Sequence, residues 1–483
     1  MARSPSTGSG KGRGGPGNGQ DAAEDARSGS TQVADRSRRA AFDALRRVTG
    51  GDAYANLVLP GLLAERGITG RDAAFATELL NGTCRWLGTY DAIIASASGR
   101  ALGSLQPAVV DLLRLGTHQL LGMRVGTHAA VSETVDLAGA TVGRRVTGLV
   151  NAVLRRVAAH DRDDWVDRLG ADRDPRDRLA LAYAHPRWVV DAYADLLPAD
   201  ELVDALAADN VSPEVALVVR PGLAELDELV AEAGTDEVGR WSPFAVRGAG
   251  NPGDLPLVRT GRAGVQDEGS QLVAWGVTRP PAAPGWWLDL SAGPGGKAAL
   301  LTGLATTAGS RVLAGELAPH RAALVVGATR GYPLDQRPVV VVADATRPPW
   351  RDGTFTRVLA DVPCTGLGAL RRRPEARWRR NPGDVEALHG LQRALLTTAL
   401  DAAAPGGLVA YVTCSPHRRE TADVVHEVLA GRDDVEVVPF TTVLPELAGP
   451  SVGAVAATDG DFLQLWPHRH GTDAMFAAYL RRR

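Results

Sequence analysis

Apolar residues in the first third of the chain recur with the spacing of amphipathic helices. Phe42, Leu45 and Val48 fall on one face at about 3.6-residue intervals, and similar stretches follow with short connections, several marked by a glycine such as Gly88. The stretches predicted to be helical after the first are 54–65, 71–87, 90–97, 107–121, 130–140 and 145–159. We therefore expect residues 35–164 to form an all-helical bundle.

Short apolar runs alternate with helical periodicity from residue 271 to the C-terminus at residue 483. The predicted strands are 286–290, 311–316, 339–342, 357–361 and 407–413, and the predicted helices between and after them are 297–306, 320–330, 384–404 and 420–429. This alternation is typical of a doubly wound, Rossmann-like α/β domain with a parallel sheet. Ligands of such sheets bind outside the carboxyl ends of the strands.

The two remaining parts of the chain have different compositions. Residues 165–270 mix predicted helices at 185–208 and 223–233 with a strand at 215–219 and short extended runs at 244–246 and 257–259, which indicates a small α+β module. Residues 1–34 contain almost no aliphatic side chains, so we expect a disordered tail. The pattern predicts a multidomain protein.

Composition excludes several classes of protein. The chain is 45% hydrophobic and 23% charged, as in soluble globular proteins, and no uncharged apolar run approaches the ~18 residues that span a bilayer. The polar N-terminus lacks the apolar core of a secretory leader, so we expect a cytoplasmic protein without a membrane partner. Three scattered cysteines do not suit a disulfide framework or a zinc site, and we expect no bound metal.

Three segments place unusual residues directly after predicted strands: 288–297, 361–366 and 411–415. In the first, a Gly-Pro-Gly-Gly turn precedes a helix, and such a turn lets backbone N–H groups approach a nucleotide-like ligand. The segment lacks the glycine spacing of dinucleotide sites and the Gly-Lys-Ser/Thr of a P-loop, which disfavours NAD and ATP. Glu316 and Asp344 follow the next two strands, where carboxylates can accept ribose hydroxyls and an adenine amine.

The other two segments contain Cys364 after a proline and Cys414 after a threonine. Two thiols beside a methyl donor suit methylation at carbon 5 of a pyrimidine. That carbon is not nucleophilic, so one thiolate must first add to carbon 6 and push electron density to carbon 5. A base must then remove the carbon-5 proton to expel the thiol.

These segments resemble motifs of the RNA cytosine-5 methyltransferases of the Sun/NOL/NOP family. In the helical part, 81–85, 115–121 and 150–156 resemble the NusB-type RNA-binding domain, which narrows the resemblance to the bacterial RsmB type. The resemblance implies a class I methyltransferase domain behind a NusB-like domain, S-adenosyl-L-methionine as cofactor and small-subunit ribosomal RNA as partner.

The same resemblance implies roles for individual residues. Cys414 would be the nucleophile, Cys364 would assist elimination and product release, Asp361 would hydrogen-bond the cytosine ring, and Lys297 would place the reacting groups. The implied cofactor-binding residues are Ser291, Ala292, Gly293, Pro294, Gly295, Gly296, Lys297, Glu316, Asp344 and Asp361. The sequence departs from the family pattern at Ser291 and Ala298, where Cys and Thr are usual. It also departs after Cys414, in residues 416–421, where a Glu-Asn pair is common. Glu420 in this segment is predicted to cap the next helix.

A net charge of −3 gives no global nucleic-acid signature, so RNA contacts must come from a local patch. Residues 371–380 contain six arginines and one acid, which leaves +5 in ten residues directly after Cys364. This pattern predicts a phosphate-binding stripe in which an indole can stack on a base. The predicted RNA-binding residues are Arg371, Arg372, Arg373, Arg377, Trp378 and Arg379.

The sequence therefore predicts a monomeric enzyme that forms 5-methylcytosine in small-subunit ribosomal RNA. Two alternatives stay open. The first is the same reaction on transfer RNA or another RNA. The second is a NusB-like, non-catalytic RNA-binding assembly factor.

Overall fold

The computed structural model describes residues 36–51, 53–248, 250–447 and 460–483. The predicted tail at residues 1–34 lies outside the described residues. Two compact units divide the chain: Met1–Thr83 with Ile94–His160, and Cys84–Ile93 with Asp161–Arg483. Within the described ranges, no helix has the length and apolar character needed to cross a membrane.

The N-terminal region is helical, as the periodicity predicts. Its helices are α1 (36–49), α2 (Ala55–Glu65), α3 (Gly70–Ser98), α4 (Pro107–Leu121), α5 (Thr127–Thr141) and α6 (Thr147–Val157). In α6, Val150, Val153 and Leu154 are buried on one face. Gly116 lets α4 approach that face, since a Cβ at this position would lie 2.7 Å from the Leu154 side chain.

The predicted break at Gly88 is wrong, because α3 runs without interruption from Gly70 to Ser98. The glycine serves packing instead. A Cβ on Gly88 would lie 2.2 Å from the indole ring of Trp378, so only glycine admits this aromatic side chain against the helix.

The middle of the chain contains seven helices among its described residues and a small antiparallel sheet with the strand order β2-β1-β3. The helices are α7 (Arg162–Gly170), α8 (Pro175–Ala182), α9 (Arg187–Ala194), α10 (Ala199–Ala208), α11 (Leu226–Ala233), α12 (Pro256–Thr260) and α13 (Glu268–Gly276). The strands are β1 (Ala216–Val219), β2 (Ala245–Arg247) and β3 (Ala263–Val265). The predicted extended run at 257–259 is wrong: Pro256 starts a helical turn there, and Gly261, with φ of 79°, ends it.

The C-terminal region is built on a large sheet of strands β4 to β11. Their bounds are β4 (Trp286–Asp289), β5 (Arg311–Glu316), β6 (Val339–Val342), β7 (Phe355–Asp361), β8 (Ala403–Thr413), β9 (Val435–Val438), β10 (Leu463–Gln464) and β11 (Phe476–Arg482). The order is β10-β11-β8-β7-β4-β5-β6, and β9 also pairs with β11. All five predicted strands are present and parallel to one another, but β11 joins β8 antiparallel and makes the sheet mixed.

Strand order reverses at β4, because β5 and β6 lie on one side of it and β7 and β8 on the other. Successive residues of each central strand point to opposite faces. Trp287, Leu359 and Val412 contribute to one apolar core, and their neighbours Leu288 and Val358 contribute to another. The helices of this region are α14 (Gly296–Thr307), α15 (Pro319–Ala328), α16 (Ala376–Arg379), α17 (Pro382–Ala402), α18 (Ala422–Leu429), α19 (Phe440–Val443) and α20 (Pro467–His470). The crevice between the ends of β4 and β7 is therefore the expected ligand site.

Candidate active site

The predicted cofactor-binding turn, residues 291–297, joins the end of β4 to the start of α14. The Gly293 N–H donates to the Glu316 carboxylate on β5 at 3.0 Å, which fixes the turn to the neighbouring strand. Gly295 has φ of 109°, and a Cβ there would lie 2.6 Å from the Ala328 side chain, so this position requires glycine. The turn is thus a rigid backbone surface at the switch point of the sheet.

The two predicted acids follow consecutive strands on the same edge of the sheet. Glu316 is buried at the end of β5, and its second carboxylate oxygen accepts the Ala318 N–H at 3.0 Å. Asp344 is exposed just after β6, and hydrogen bonds from the side chain and the backbone of Thr346 hold its pKa below the usual range. A carboxylate offers about four acceptor positions. Glu316 and Asp344 can therefore still accept hydroxyl or amine donors of a bound nucleoside.

Three charged groups meet at the switch point. The Lys297 ammonium donates to the Asp361 carboxylate at 2.9 Å, where α14 begins and β7 ends. Burial opposes the charge on Lys297, but Asp361 outweighs it and raises the pKa of the lysine. Asp289, the last residue of β4, is 1% exposed, and burial together with the negative charge of Asp361 raises its pKa to about 7. Asp289 is not among the site residues predicted from the sequence, although an acid directly before a glycine-rich turn is visible there.

The structure brings the two predicted thiols together. The Sγ atoms of Cys364 and Cys414 are 3.4 Å apart, because the loop after β7 and the loop after β8 leave adjacent parallel strands. The hydrogen bond between the thiols raises the pKa of Cys364, as does its burial. The same hydrogen bond lowers the pKa of Cys414 against the effect of burial, and the positive charges of Lys297 and Arg373 lower it further. The positive charges of Lys297 and Arg373 therefore favour the ionised form of Cys414.

Glu420 does not cap the helix after Cys414, so that prediction is wrong. Its side chain is 0% exposed and turned inward, where one oxygen accepts the Thr365 N–H at 2.8 Å and a Gln392 amide N–H at 3.2 Å. The other oxygen accepts the Thr365 hydroxyl. Gln392 also donates to the Pro363 carbonyl at 2.9 Å. Glu420 and Gln392 thus hold the backbone on both sides of Cys364.

Two of the predicted RNA-binding arginines form buried ion pairs. Arg371 is 8% exposed and Arg372 is partly buried, and both contact the carboxylates of Asp267 and Asp473. The prediction that Arg371 belongs to an exposed phosphate-binding stripe is wrong. Its partners come from distant parts of the chain, so no local pattern in the sequence indicates this pairing.

Arg377 and Trp378 are also structural. Arg377 is 0% exposed and donates to the carbonyls of Ala184 and Asp209 and to the side chain of Asn210. The Trp378 indole donates to the Cys84 carbonyl at 2.8 Å and packs against Gly88. The prediction that Arg377 contacts RNA is wrong, because its side chain is fully buried. Trp378 is partly buried, and its RNA contact stays a prediction.

Arg373 and Arg379 differ from these neighbours. Arg373 is exposed and close enough to Cys414 to lower the pKa of its thiol, and Arg379 is half-buried. The accessible positive charge beside the thiols is therefore smaller than the composition of residues 371–380 indicates.

Comparisons with known proteins identify the family of this chain. Residues 278–481 match the family described as 16S rRNA methyltransferase RsmB/F, and residues 35–159 match the NusB family. The methyltransferase-like protein Rv1407 of Mycobacterium tuberculosis is 52% identical over 456 residues, which cover 93% of this chain and 97% of that protein. The ribosomal RNA small subunit methyltransferase B of Vibrio cholerae is 31% identical over 410 residues, covering 83% and 91%.

A solved structure, that of PH0851, superposes with a TM-score of 0.76 and covers 93% of this chain and 99% of its own. Its sequence identity is 20%, so the likeness concerns the fold. The relatives extend over nearly the whole chain, from the helical region to the strands that position the thiols. The chain therefore belongs to the 16S rRNA methyltransferase RsmB/F family of S-adenosylmethionine-dependent methyltransferases.

Proposed function

We propose that this protein methylates carbon 5 of a cytosine in small-subunit ribosomal RNA. The observation that carries the proposal is the 3.4 Å approach of Cys364 and Cys414, whose pKa values are displaced in opposite directions. A thiolate beside a thiol matches the two halves of the reaction, since addition needs a nucleophile and elimination needs a proton donor beside the departing sulfur.

The glycine-rich turn supplies the cofactor site in this proposal. Residues 291–297 would hold S-adenosylmethionine together with Glu316, Asp344 and Asp361, and the bound cofactor supplies an electrophilic methyl group. The buried Glu316 carboxylate and the backbone of the turn suit a nucleoside that carries hydroxyl donors. The substitutions at Ser291 and Ala298 leave this backbone surface intact, because it rests on the glycines.

In the first half of the reaction, the Cys414 thiolate adds to carbon 6 and forms a sulfur–carbon bond. Electron density moves to carbon 5, which becomes nucleophilic and accepts the methyl group. Asp361, held by the Lys297 ammonium at 2.9 Å, hydrogen-bonds the cytosine ring and fixes its orientation during the addition. Positive charge from Lys297 and Arg373 favours the thiolate form of Cys414 before the addition.

In the second half, carbon 5 loses its proton to a base and the bond between Cys414 and carbon 6 breaks. The electron pair of the carbon–hydrogen bond restores the ring double bond, and the electron pair of the sulfur–carbon bond returns to Cys414. Cys364 remains a thiol under conditions in which Cys414 is ionised, so its S–H can hydrogen-bond the departing sulfur. Cys364 thereby assists elimination and release of the product.

The target base must leave its stack to reach Cys414, because an atom inside a duplex is inaccessible to a thiol in a crevice. Arg373 and Arg379 would contact phosphates beside the crevice, and the NusB-type domain would bind RNA as well. Both contributions are local, which agrees with the small net charge of the chain.

Cys414→Ala and Cys364→Ala test the assignment of the two thiols. With tritiated S-adenosylmethionine and small-subunit ribosomal RNA, Cys414→Ala should transfer no label, because no nucleophile activates carbon 5. Cys364→Ala should form a covalent protein–RNA adduct that persists on a denaturing gel. Cys84→Ala, which removes a buried thiol outside these loops, is the control and should transfer label normally. Full activity of Cys414→Ala would rule out the mechanism.

The RNA target is tested separately. Bisulfite sequencing of RNA from a deletion strain should show the loss of one 5-methylcytosine in small-subunit ribosomal RNA, with transfer RNA unchanged. Loss of the modified base from transfer RNA instead would keep the chemistry and replace the proposed substrate. An unchanged pattern in both RNAs would contradict the proposed activity.

A further inference from the structure

Glu420 is a buried carboxylate without an ion-pair partner among the residues that the structure describes. Its contacts are the Thr365 N–H, the Thr365 hydroxyl and the Gln392 amide, all of which are neutral donors. An ionised carboxylate accepts hydrogen bonds and donates none. The three donors therefore suit a negatively charged Glu420, placed inside the protein between the two loops that position the thiols.

The contacts of Glu420 reach the neighbours of both cysteines. Thr365 directly follows Cys364, and its hydroxyl also lies 3.2 Å from the Ser415 hydroxyl, one residue after Cys414. The backbone of Glu420 is itself fixed, because the Tyr411 hydroxyl on β8 donates to its carbonyl at 2.8 Å. A single side chain thus links the loop after β7 to the loop after β8.

We propose that Glu420 is the positioning residue that separates the roles of the two thiols, by holding Cys364 against Cys414 and by keeping a negative charge on the Cys364 side. The inference rests on the proposed function for the roles themselves. Its geometric part is independent, since it concerns the distance between the sulfur atoms and the order in which they lose protons.

The charges around the pair agree with this arrangement. The raised pKa of Cys364 comes first from the hydrogen bond with Cys414 and from burial, and then from the negative charges of Cys414, Glu420 and Asp361. Cys414 faces Asp361 as well, but Lys297 and Arg373 offset that charge. The negative charge of Glu420 therefore acts on the Cys364 side of the pair, and the positive charges act on the Cys414 side.

Site-resolved alkylation tests the electrostatic part without any RNA. The protein is reduced, freed of reductant under nitrogen and treated with iodoacetamide from pH 6 to pH 10, and the alkylation rate of each cysteine is followed by mass spectrometry. In the wild-type protein, Cys414 should react at lower pH than Cys364. Glu420→Gln keeps the shape and removes the charge, so Cys364 should react several-fold faster at pH 8 and the two profiles should approach each other. Unchanged profiles would overturn the inference.

Two variants serve as references for that measurement. Glu427→Gln, on helix α18 shortly after Glu420, removes a carboxylate that contacts His389 and Arg419 at the surface, and it should leave both profiles unchanged. Glu420→Asp restores the charge and should return the Cys364 profile toward that of the wild type. A Glu420→Asp profile identical to that of Glu420→Gln would contradict the charge argument.

The positioning part has its own test, which remains available if Glu420→Gln does not fold. Thr365→Val removes the hydroxyl contacts to Glu420 and Ser415 and retains the backbone N–H bond and the charge. Oxidation by diamide joins the sulfur atoms when each thiol loses a proton and one electron to the reagent, which is reduced to its hydrazine. We expect disulfide formation in Thr365→Val to be several-fold slower than in the wild-type protein. An unchanged rate would refute the positioning role.

Kinetic measurements on Glu420→Gln test whether its positioning role affects the elimination step. In Glu420→Gln, the adduct through Cys414 should form at a normal rate in a single turnover, while kcat and KM for RNA fall together and kcat/KM stays constant, because elimination is the step that is impaired. A fall in the rate of adduct formation equal to the fall in kcat would contradict this assignment. Full activity of Cys414→Ala would remove the proposed function, and the alkylation result would still decide the role of Glu420.

Discussion

At the scale of single residues, the switch point of the sheet concentrates charge in a small volume. Lys297 is paired with Asp361, and Asp289 is buried beside them without an ion-pair partner at hydrogen-bond distance among the described residues. Burial of a carboxylate is costly unless the group takes up a proton. The pKa of about 7 at Asp289 therefore means that ionisation of this group lowers the free energy of unfolding.

Replacing Asp289 by asparagine should stabilise the protein at alkaline pH. The pKa of Asp289 is raised from 3.8 to about 7, so the folded state keeps a proton that the unfolded state releases between these values. Stability contributed by this group is present below pH 3.8 and is lost as the pH rises toward 7. Asp289→Asn removes that loss, and the free energy of unfolding should increase by about 4 kcal/mol more at pH 8 than at pH 4.

Denaturant titrations at pH 4 and pH 8 measure the difference. Asp344→Asn is the matched control, because Asp344 is exposed at the end of β6 and hydrogen bonds from Thr346 lower its pKa. That variant should show no gain at pH 8. Equal effects of Asp289→Asn at both pH values would contradict a raised pKa for Asp289.

At the scale of secondary-structure elements, hydrophobic periodicity correctly predicted those strands and helices that the local sequence determines. The five parallel strands and the helices between them follow from short apolar runs and from glycine or proline at their ends. The predictions failed where a distant residue determines the local structure. Gly88 lies inside helix α3, where Trp378 packs on it from a distant part of the chain, and its role is packing rather than chain reversal.

The same reason explains which site residues the sequence could identify. Cys364, Cys414 and the glycine-rich turn follow predicted strands directly, so sheet topology alone brings them to one edge. Arg371 and Glu420 have acidic or neutral partners in other segments, and no local pattern distinguishes a buried arginine from an exposed one. Their environments became visible only with the tertiary contacts.

The loop after β7 packs closely against the backbone of Cys414 and Ala474, and a substitution at Gly368 tests this contact. The Gly368 N–H donates to the Cys414 carbonyl, and the Gly368 carbonyl accepts the Ala474 N–H, both at 2.8 Å. A Cβ on Gly368 would lie 2.0 Å from the Ala474 carbonyl oxygen and 2.9 Å from that of Cys414. Gly368→Ala must displace backbone atoms, so we expect a loss of stability of about 2 kcal/mol or more and slower methyl transfer.

Gly390→Ala is the control for that variant. Gly390 lies on the exposed side of α17, and a Cβ there meets no atom within 4 Å. Because alanine favours a helix, this change should raise stability by about 0.5–1 kcal/mol and leave methyl transfer unchanged. Thermal unfolding and tritium transfer measure both effects. Similar stability changes in the two variants would show that the Gly368 contact is looser than the distances indicate.

At the scale of the whole molecule, a net charge of −3 makes general attraction to RNA weak. The chain must then bind its substrate through local groups, and the loop after β7 presents fewer of these than its six arginines indicate. Arg371 and Arg377 are buried, and both donate hydrogen bonds to groups inside the protein. Arg373 is exposed and electrostatically coupled to Cys414, so in the proposed function it would connect RNA binding to the ionisation of the nucleophile.

Arg373→Ala should therefore change binding and chemistry together. Loss of one phosphate contact should weaken RNA binding and make the slope of log K against log salt shallower by about 0.9 between ~50 and ~200 mM salt, as measured by fluorescence anisotropy. Loss of the positive charge should also move the alkylation profile of Cys414 to higher pH, because Arg373 lowers the pKa of that thiol. Arg311→Ala, which removes an exposed arginine at the start of β5 on the opposite edge of the sheet, should change neither quantity. A normal salt slope with a displaced Cys414 profile would confine Arg373 to the electrostatics of the thiol, and RNA phosphates would then have to be bound by other groups.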